Sequence, residues 1–340
     1  MSNLFRVKTL SFSFSPAISY NQPKFCPNAS WNATALTFAT NTIVGSTPYG
    51  IFVNSNNTVY VANRESSRVH VWLEGSTTSI RNLSSGLNLP YSVFVTDNGD
   101  IFVDNGQTNN RVDRWQTNST DSIPAMYTCG TCYDLFIDMN NNLYCSMYDN
   151  HQVSSNSLTN RLNLWSIVAG TAACGSTTTT VCYPRGIFVD INLNLYLADS
   201  GNHRIQLYAY GQLTGTAVAG ASAAGTITLS WPTDVALDAD GYLFILDSEN
   251  FRVVGSGPYG FRCVLGCSGS GSSSSQLDSP SSFSFDTYGN IFITDRDNNR
   301  VQKFLISTNV CSKYNYFSAT YCSDLIETLF IRIERFVYSK

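Results

Sequence analysis

The chain has almost no lysine where a nucleic-acid binder would need it, since none occurs between Lys24 and Lys303. Its arginines fall mostly one per repeat, so no basic stripe is available to track phosphates. Charged residues make up only 13% of 340 positions and leave a net charge of -4. No run of 18 apolar residues is present, so no segment reads as a membrane-spanning helix. Histidine is scarce: His70, His151 and His203 are the whole supply, too few for convergent imidazole metal sites. Helical periodicity is missing from all but the C-terminal tail. What remains is globular and rich in rings, with 43% apolar and 13% aromatic residues.

Ten cysteines, an even number, lean towards disulfides and an oxidising compartment. Arg6 and Lys8 precede a stretch broken by serines, TLSFSFSPAISY, which is no clear signal peptide. Five glycosylation sequons begin at Asn28, Asn32, Asn56, Asn82 and Asn118, about what chance supplies in a chain this rich in Asn, Ser and Thr. The expectation is an extracellular or secretory glycoprotein, with the question of a true start at residue 1 left open.

Residues 1–30 read as irregular, and the first strand is expected at 33–39. Six copies of one unit follow, beginning at Pro48, Pro90, Cys132, Pro184, Pro232 and Pro280, at steps of 42, 42, 52, 48 and 48 residues. Each opens with a run that is apolar at consecutive positions (IFVN, VFVT, LFID, IFVD, VALD, FSFD), as a strand buried on both faces should be. A second run follows (VYVAN, IFVDN, LYCSM, LYLAD, LFILD, IFITD), then a third starting at Arg68, Arg111, Gln152, Arg204, Arg252 and Arg300. Most copies add a fourth strand, as at 165–170 and 216–220. Four antiparallel strands per unit, repeated six times, predict an all-β, six-bladed propeller. The sixth copy lacks its outer strand, so the N-terminal strand is expected to complete it and close the ring. Cys26 and Cys311 would then meet at the seam.

The stretch PRGIFVDINLNLYLADSGNHRIQLY at 184–208 is the best preserved copy. It resembles the NHL repeat, and the resemblance extends over about residues 31–306. Such resemblance implies a six-bladed propeller used mainly as an interaction platform, although a peptide-amidating lyase shares the architecture. Copy three departs most, with Cys132, Met147 and Gln152 in place of the proline, the acidic residue and the arginine. Residues 307–340 read as a cysteine-containing linker and a short amphipathic helix. In that helix Asp324 and Glu327 make a capping pair, and Leu325, Ile326, Leu329, Phe330, Ile333, Phe336 and Val337 share a face.

Candidate chemistry sits at matching positions of the copies. Asn63 and Arg68, Asp199 and Arg204, Asp247 and Arg252, and Asp295 and Arg300 are each five apart across the second hairpin, while Asn105 and Arg111 are six apart. Copy three loses both partners together, which suggests that the two positions touch and pin the tip. His151 and His203 fall at equivalent tip positions and read as structural, and His70 is expected to face outward. Cys129 with Cys132, perhaps joined by Cys145, reads as a structural disulfide, because no helix follows to activate a thiolate. Cys174 with Cys182 and Cys263 with Cys267 read as loop staples, and the serine-rich tract at 266–275 as a flexible loop.

The residue after each opening Pro or Cys should sit at the mouth of the central channel: Tyr49, Tyr91, Tyr133, Arg185, Thr233 and Ser281. Three tyrosines followed by an arginine have the composition of a binding hot spot. Asp134 and Asp234 lie one residue further in. The reading favoured is a non-enzymatic module binding a protein, peptide or glycan, with no cofactor and no nucleic acid. The alternative is a propeller enzyme, a lactonase-like hydrolase or a lyase with a divalent ion in the channel, for which only Asp134 and Asp234 are placed.

Overall fold

The computed structural model describes residues 19–160 and 164–311. Each opening run forms the innermost strand of a blade: Pro48–Val53, Val93–Val95, Cys132–Ile137, Pro184–Val189, Pro232–Leu237 and Pro280–Phe285. These strands are buried along most of their length because neighbouring blades cover one face and the channel packs the other. Blade four shows the pattern, with Leu195–Asp199, Arg204–Tyr208 and Thr216–Gly220 laid antiparallel outside Pro184–Val189.

All six blade sheets have four strands, and a seventh sheet has two. In the sixth the outer strand is Leu36–Ala39, which pairs antiparallel with Arg300–Phe304. A second clasp, Ser30–Trp31 against Ile306–Thr308, lies beside it. Cys26 and Cys311 are bonded there, 285 residues apart in sequence. The strand begins later than the expected 33–39 because 32–35 turn between the two clasps. The helix expected near the C-terminus lies outside the described residues, and no described helix is long and apolar enough to cross a membrane.

One irregularity positions the site. The ladder between first and second strands slips just after the opening residue, between Pro48 and Ile51, Cys132 and Asp134, Pro184 and Ile187, Pro232 and Asp234, and Pro280 and Phe283. Proline starts these strands without cost, having no N–H to offer. The slip is a bulge, and a bulge frees its extra residue from pairing and re-aims its side chain. Tyr49, Tyr133, Arg185, Thr233 and Ser281 all fall in it.

Candidate functional site

The freed residues do not form one uniform ring. Thr233 and Ser281 are buried and stitch blades together: Thr233 Oγ1 donates to the Pro280 carbonyl (3.2 Å) and Ser281 Oγ to that of Tyr49 (2.7 Å). The aromatic side is different. Tyr91 stacks on Tyr133 with centroids 4.1 Å apart, and Tyr133 on Tyr148 at 4.3 Å. Tyr49 meets Tyr91 edge-on at 4.8 Å, while Tyr183 and Trp231 continue the arc beyond Tyr148. Tyr49 and Tyr91 are covered by these neighbours and keep only 7% and 4% exposure, while Tyr133, Tyr148, Tyr183 and Trp231 are half-buried.

Arg185 lies among these rings, 5.6 Å from the centre of Tyr133, 5.2 Å from Tyr148 and 5.7 Å from Trp231. Arg64 sits over Tyr91 at 4.8 Å, and Arg296 over Tyr49 at 6.0 Å. Arg296 is paired with Asp297. Arg64 and Arg185 form no ion pair among the described residues, and Nε of each is buried without a hydrogen-bond partner. Ring faces attract a guanidinium but do not neutralise it. The mouth therefore holds two uncompensated positive charges in a chain that is acidic as a whole.

Arg64, Tyr148 and Arg296 escape a reading that looks only at the first strand. Each follows the repeat's Asn, Met or Asp at the second hairpin tip, and Tyr183 and Trp231 immediately precede an opening proline. The signal was available in the aligned copies, at two positions whose chemistry changes from blade to blade. Tyr183 and Trp231 both adopt left-handed backbone (φ 51° and 50°), as do Thr47, Leu89 and Ser279 before their prolines. That strain recurs in five copies, so it belongs to the scaffold rather than to one site.

Asp134, half-buried, and Asp234, buried, line the channel below the mouth and are already engaged. Asp134 accepts from Ser92 Oγ (2.9 Å), the Leu135 N–H (2.9 Å) and the Ile187 N–H (2.8 Å), tying blades two, three and four. Asp234 accepts from the Val235 N–H, Ser282 Oγ and the Phe283 N–H at 2.8 to 2.9 Å, tying blade five to six. Gly186 is required beside it, because a Cβ there would collide with the Asp234 and Thr233 backbone. Burial pushes both carboxyls above the usual range, and for Asp234 the charge of Asp134 adds to the effect.

Further in, Phe52, Phe94, Phe136 and Phe188 pack ring to ring at 4.7 to 5.2 Å. Tyr20 fills the remaining space against Phe136 and Phe188, and Asn21 Nδ2 donates to the carbonyls of Val53, Asn54 and Phe285 at 2.9 to 3.1 Å. The N-terminal segment thus plugs the far end of the channel and leaves a cavity of about 70 Å³. At roughly 30 Å³ per water, this holds two or so. A divalent ion does not fit these residues: no cluster of three or more His, Cys, Asp or Glu exists among those described, and both channel carboxylates are taken up by N–H and hydroxyl donors.

The tip pairs divide by residue type. Arg204, Arg252 and Arg300 donate from Nε to Asp199, Asp247 and Asp295 at 2.7 to 2.8 Å. Arg204 also holds the carbonyls of Ser176, Thr177 and Thr180, and Arg300 those of Ser272, Ser273 and Gln276. The Asp/Arg pair is therefore a mount for the long loop that precedes its own blade, and the serine-rich tract, expected to be flexible, is pinned by it. Asn63 and Arg68 do not touch: Asn63 donates to the Val44 and Ser46 carbonyls, and Arg68 Nε to that of Ser66. Asn105 and Arg111 meet only through the backbone, the Asn105 N–H donating to the Arg111 carbonyl (3.0 Å), while each side chain turns to Asp113. An amide grips a short loop by itself. In blade three only 128–131 precede the first strand, and no loop needs a mount.

His151 and His203 each accept a backbone N–H at Nδ1, from Tyr183 (3.2 Å) and Trp231 (3.0 Å). Ser67 and Asn299 do the same for Leu89 and Thr47 from the equivalent tip position. The histidines thus orient the aromatic arc by a device the repeat uses elsewhere. His70, expected to face outward, is buried beside Trp72, and burial lowers its pKa. Cys132 is bonded to Cys145 across the first two strands of its blade, which corrects the expected pairing with Cys129. Cys129 is an exposed free thiol. Cys174 is bonded to Cys182 and Cys263 to Cys267.

The family model for the NHL repeat matches residues 181–208, the copy that carries Arg185, Asp199 and Arg204. No curated protein matches the chain. Among solved structures, a structural genomics protein of unknown function from Bacteroides thetaiotaomicron aligns with TM-score 0.62 at 14% identity, over 86% of this chain and 76% of that one. A catalytically inactive variant of virginiamycin B lyase from Staphylococcus aureus, with quinupristin, aligns with TM-score 0.57 at 12% identity, over 82% and 100%. An auxiliary nutrient binding protein from Bacteroides thetaiotaomicron aligns with TM-score 0.56 at 15% identity, over 86% and 76%. At these identities the likeness is one of fold: the chain is a six-bladed propeller, one copy of which, 181–208, matches the NHL repeat.

Proposed function

We propose that this propeller is a non-enzymatic interaction module whose ligand, a protein, peptide or glycan, docks on the mouth formed by Tyr133, Tyr148, Tyr183, Arg185 and Trp231. The observation that carries the reading is the concentration of aromatic rings and uncompensated arginine at one end of a channel that the N-terminal segment narrows at the other. Tyr, Trp and Arg dominate binding hot spots because they bury large area with few lost rotamers. The small residual cavity favours surface docking over a substrate swallowed into the channel. Among the fold's neighbours are both a nutrient-binding protein and a lyase. Against the lyase-type reading, the two histidines on this face spend Nδ1 on backbone, and the channel carboxylates are committed between blades.

The setting is extracellular or secretory. Four disulfide bonds support it, and the five sequon asparagines, all exposed, are compatible with it. The test is an unbiased pull-down with the disulfide-bonded protein, repeated with Arg185→Ala and Tyr148→Ala. A ligand that both variants lose, with melting temperature unchanged, supports the module. Turnover of a lactone or a cyclic depsipeptide by the wild type would overturn it.

A further inference from the structure

Arg64, Tyr91, Tyr133 and Tyr148 form a continuous stack across the mouth, with successive separations of 4.8, 4.1 and 4.3 Å, and Arg185 lies beside it, 5.6 Å from the centre of Tyr133 and 5.2 Å from that of Tyr148. One guanidinium group caps the Tyr91 end of the stack and the other lies against the Tyr133 and Tyr148 rings, and neither has a carboxylate within ion-pair distance among the described residues. The other described arginines are anchored: Arg68, Arg81 and Arg262 each donate to a backbone carbonyl. Arg111, Arg114, Arg204, Arg252, Arg296 and Arg300 are all paired with aspartate. Leaving a half-buried cation unpaired is unfavourable in the free protein, and a ligand carboxylate removes that penalty on binding.

Resting on the reading of this mouth as the docking surface, we propose that its ligand is an acidic segment of a protein, whose Asp or Glu carboxylates are received by Arg185 and Arg64. A sugar would need open ring faces to stack on, and the facing sides of Tyr91, Tyr133 and Tyr148 are covered by one another at 4.1 and 4.3 Å. Such a stack offers ring edges, phenol hydroxyls and guanidinium nitrogens, which are donors suited to carboxylate oxygens. An extended acidic peptide can place two side chains on the two cations, while its apolar neighbours rest against Tyr183 and Trp231.

The test is selection of random octapeptides displayed on phage against the intact disulfide-bonded protein, in parallel with Arg185→Gln and with Arg64→Gln. Selected peptides are expected to be enriched in Asp and Glu. Recovered acidic peptides should bind Arg185→Gln about tenfold or more weakly, the usual effect of losing one charge-assisted contact, and Arg185→Lys should restore part of the loss. Raised salt should weaken wild-type binding. Enrichment of neutral or basic peptides that need Tyr148 would overturn the acidic assignment and leave the docking surface standing. Tighter Arg185-dependent binding of oligogalacturonate than of any peptide would overturn the choice of a protein ligand. Selection of nothing would overturn both the assignment and the docking surface beneath it.

Discussion

Arg204 and Asp199 form an ion pair almost closed to solvent, with Nε 2.8 Å from Oδ2 and side chains 4% and 0% exposed. The same guanidinium grips three carbonyls of the 171–183 loop, and Asp199 Oδ1 accepts the Cys182 N–H at 2.7 Å. One pair therefore sets both a hairpin tip and the loop that leads into Tyr183 and Arg185.

Removing one partner strands the other. Arg204→Ala leaves a buried carboxylate without its cation and takes the donor from the Ser176 and Thr177 carbonyls, a change that costs about 3–5 kcal/mol when a buried pair is broken. Urea unfolding measures it. Arg296→Ala, whose partner Asp297 is 47% exposed, should cost no more than about 1 kcal/mol. Equal losses at the two sites would refute the mounting role of Arg204.

The seam offers a comparison of loop lengths. Cys26 and Cys311 close 285 residues, and Cys263 and Cys267 close four. On the chain-entropy account, replacing the first pair with serine should lower unfolding free energy by about 5 kcal/mol and the second by about 2 kcal/mol. The first variant should also lose amide protection in 36–39 before the other blades, since those residues complete blade six. Uniform loss of protection around the ring would contradict the seam's role as the closing element.

Stability should carry a pH signature from Asp104. Its carboxylate is fully buried and accepts the Tyr91, Gly106 and Cys132 N–H groups, but burial outweighs these bonds and, with Asp113 nearby, pushes its pKa up to about 7. The unfolded value is about 3.9. Between the two, the unfolded chain has lost a proton that the folded one keeps, so the folded state is disfavoured progressively as pH rises from about 4 to 7. Below pH 4 that penalty is absent. Asp134 and Asp234 act in the same direction. The melting temperature of Asp104→Asn relative to wild type should therefore rise with pH across this window. A difference independent of pH would count against it.

Much of this was legible in the copies themselves. Consecutive apolar residues in each opening run predicted a doubly buried inner strand, and the missing outer strand of copy six predicted where 36–39 would go. Joint loss of the acidic residue and the arginine in copy three pointed to contact between those positions, and that contact exists wherever the acidic residue is aspartate. What could not be read was the mouth. Whether Tyr91 is covered and Tyr148 left half-buried depends on rings from adjacent blades meeting at 4.1 to 4.3 Å, and no position within one copy encodes that meeting. Asp134 and Asp234 misled for the same reason, since the donors that occupy them, Ile187, Ser282 and Phe283, belong to other blades.

Glycosylation is the sharpest check on the compartment. The sequon count alone is near chance and asparagine is mostly exposed in any fold, so exposure makes these sites available without favouring their use, while a buried one cannot carry a glycan in the folded protein. Asn28, Asn32, Asn56, Asn82 and Asn118 are all exposed. They sit on the N-terminal segment and on the turns and outer strands of blades one and two, and none belongs to the aromatic arc. Expression through a eukaryotic secretory pathway should therefore give a product whose mass falls on treatment with an N-glycosidase, while binding at the mouth is retained. Intact mass spectrometry before and after treatment decides it: a product carrying no N-glycan at any of the five sites would leave the disulfides to carry the secretory reading alone.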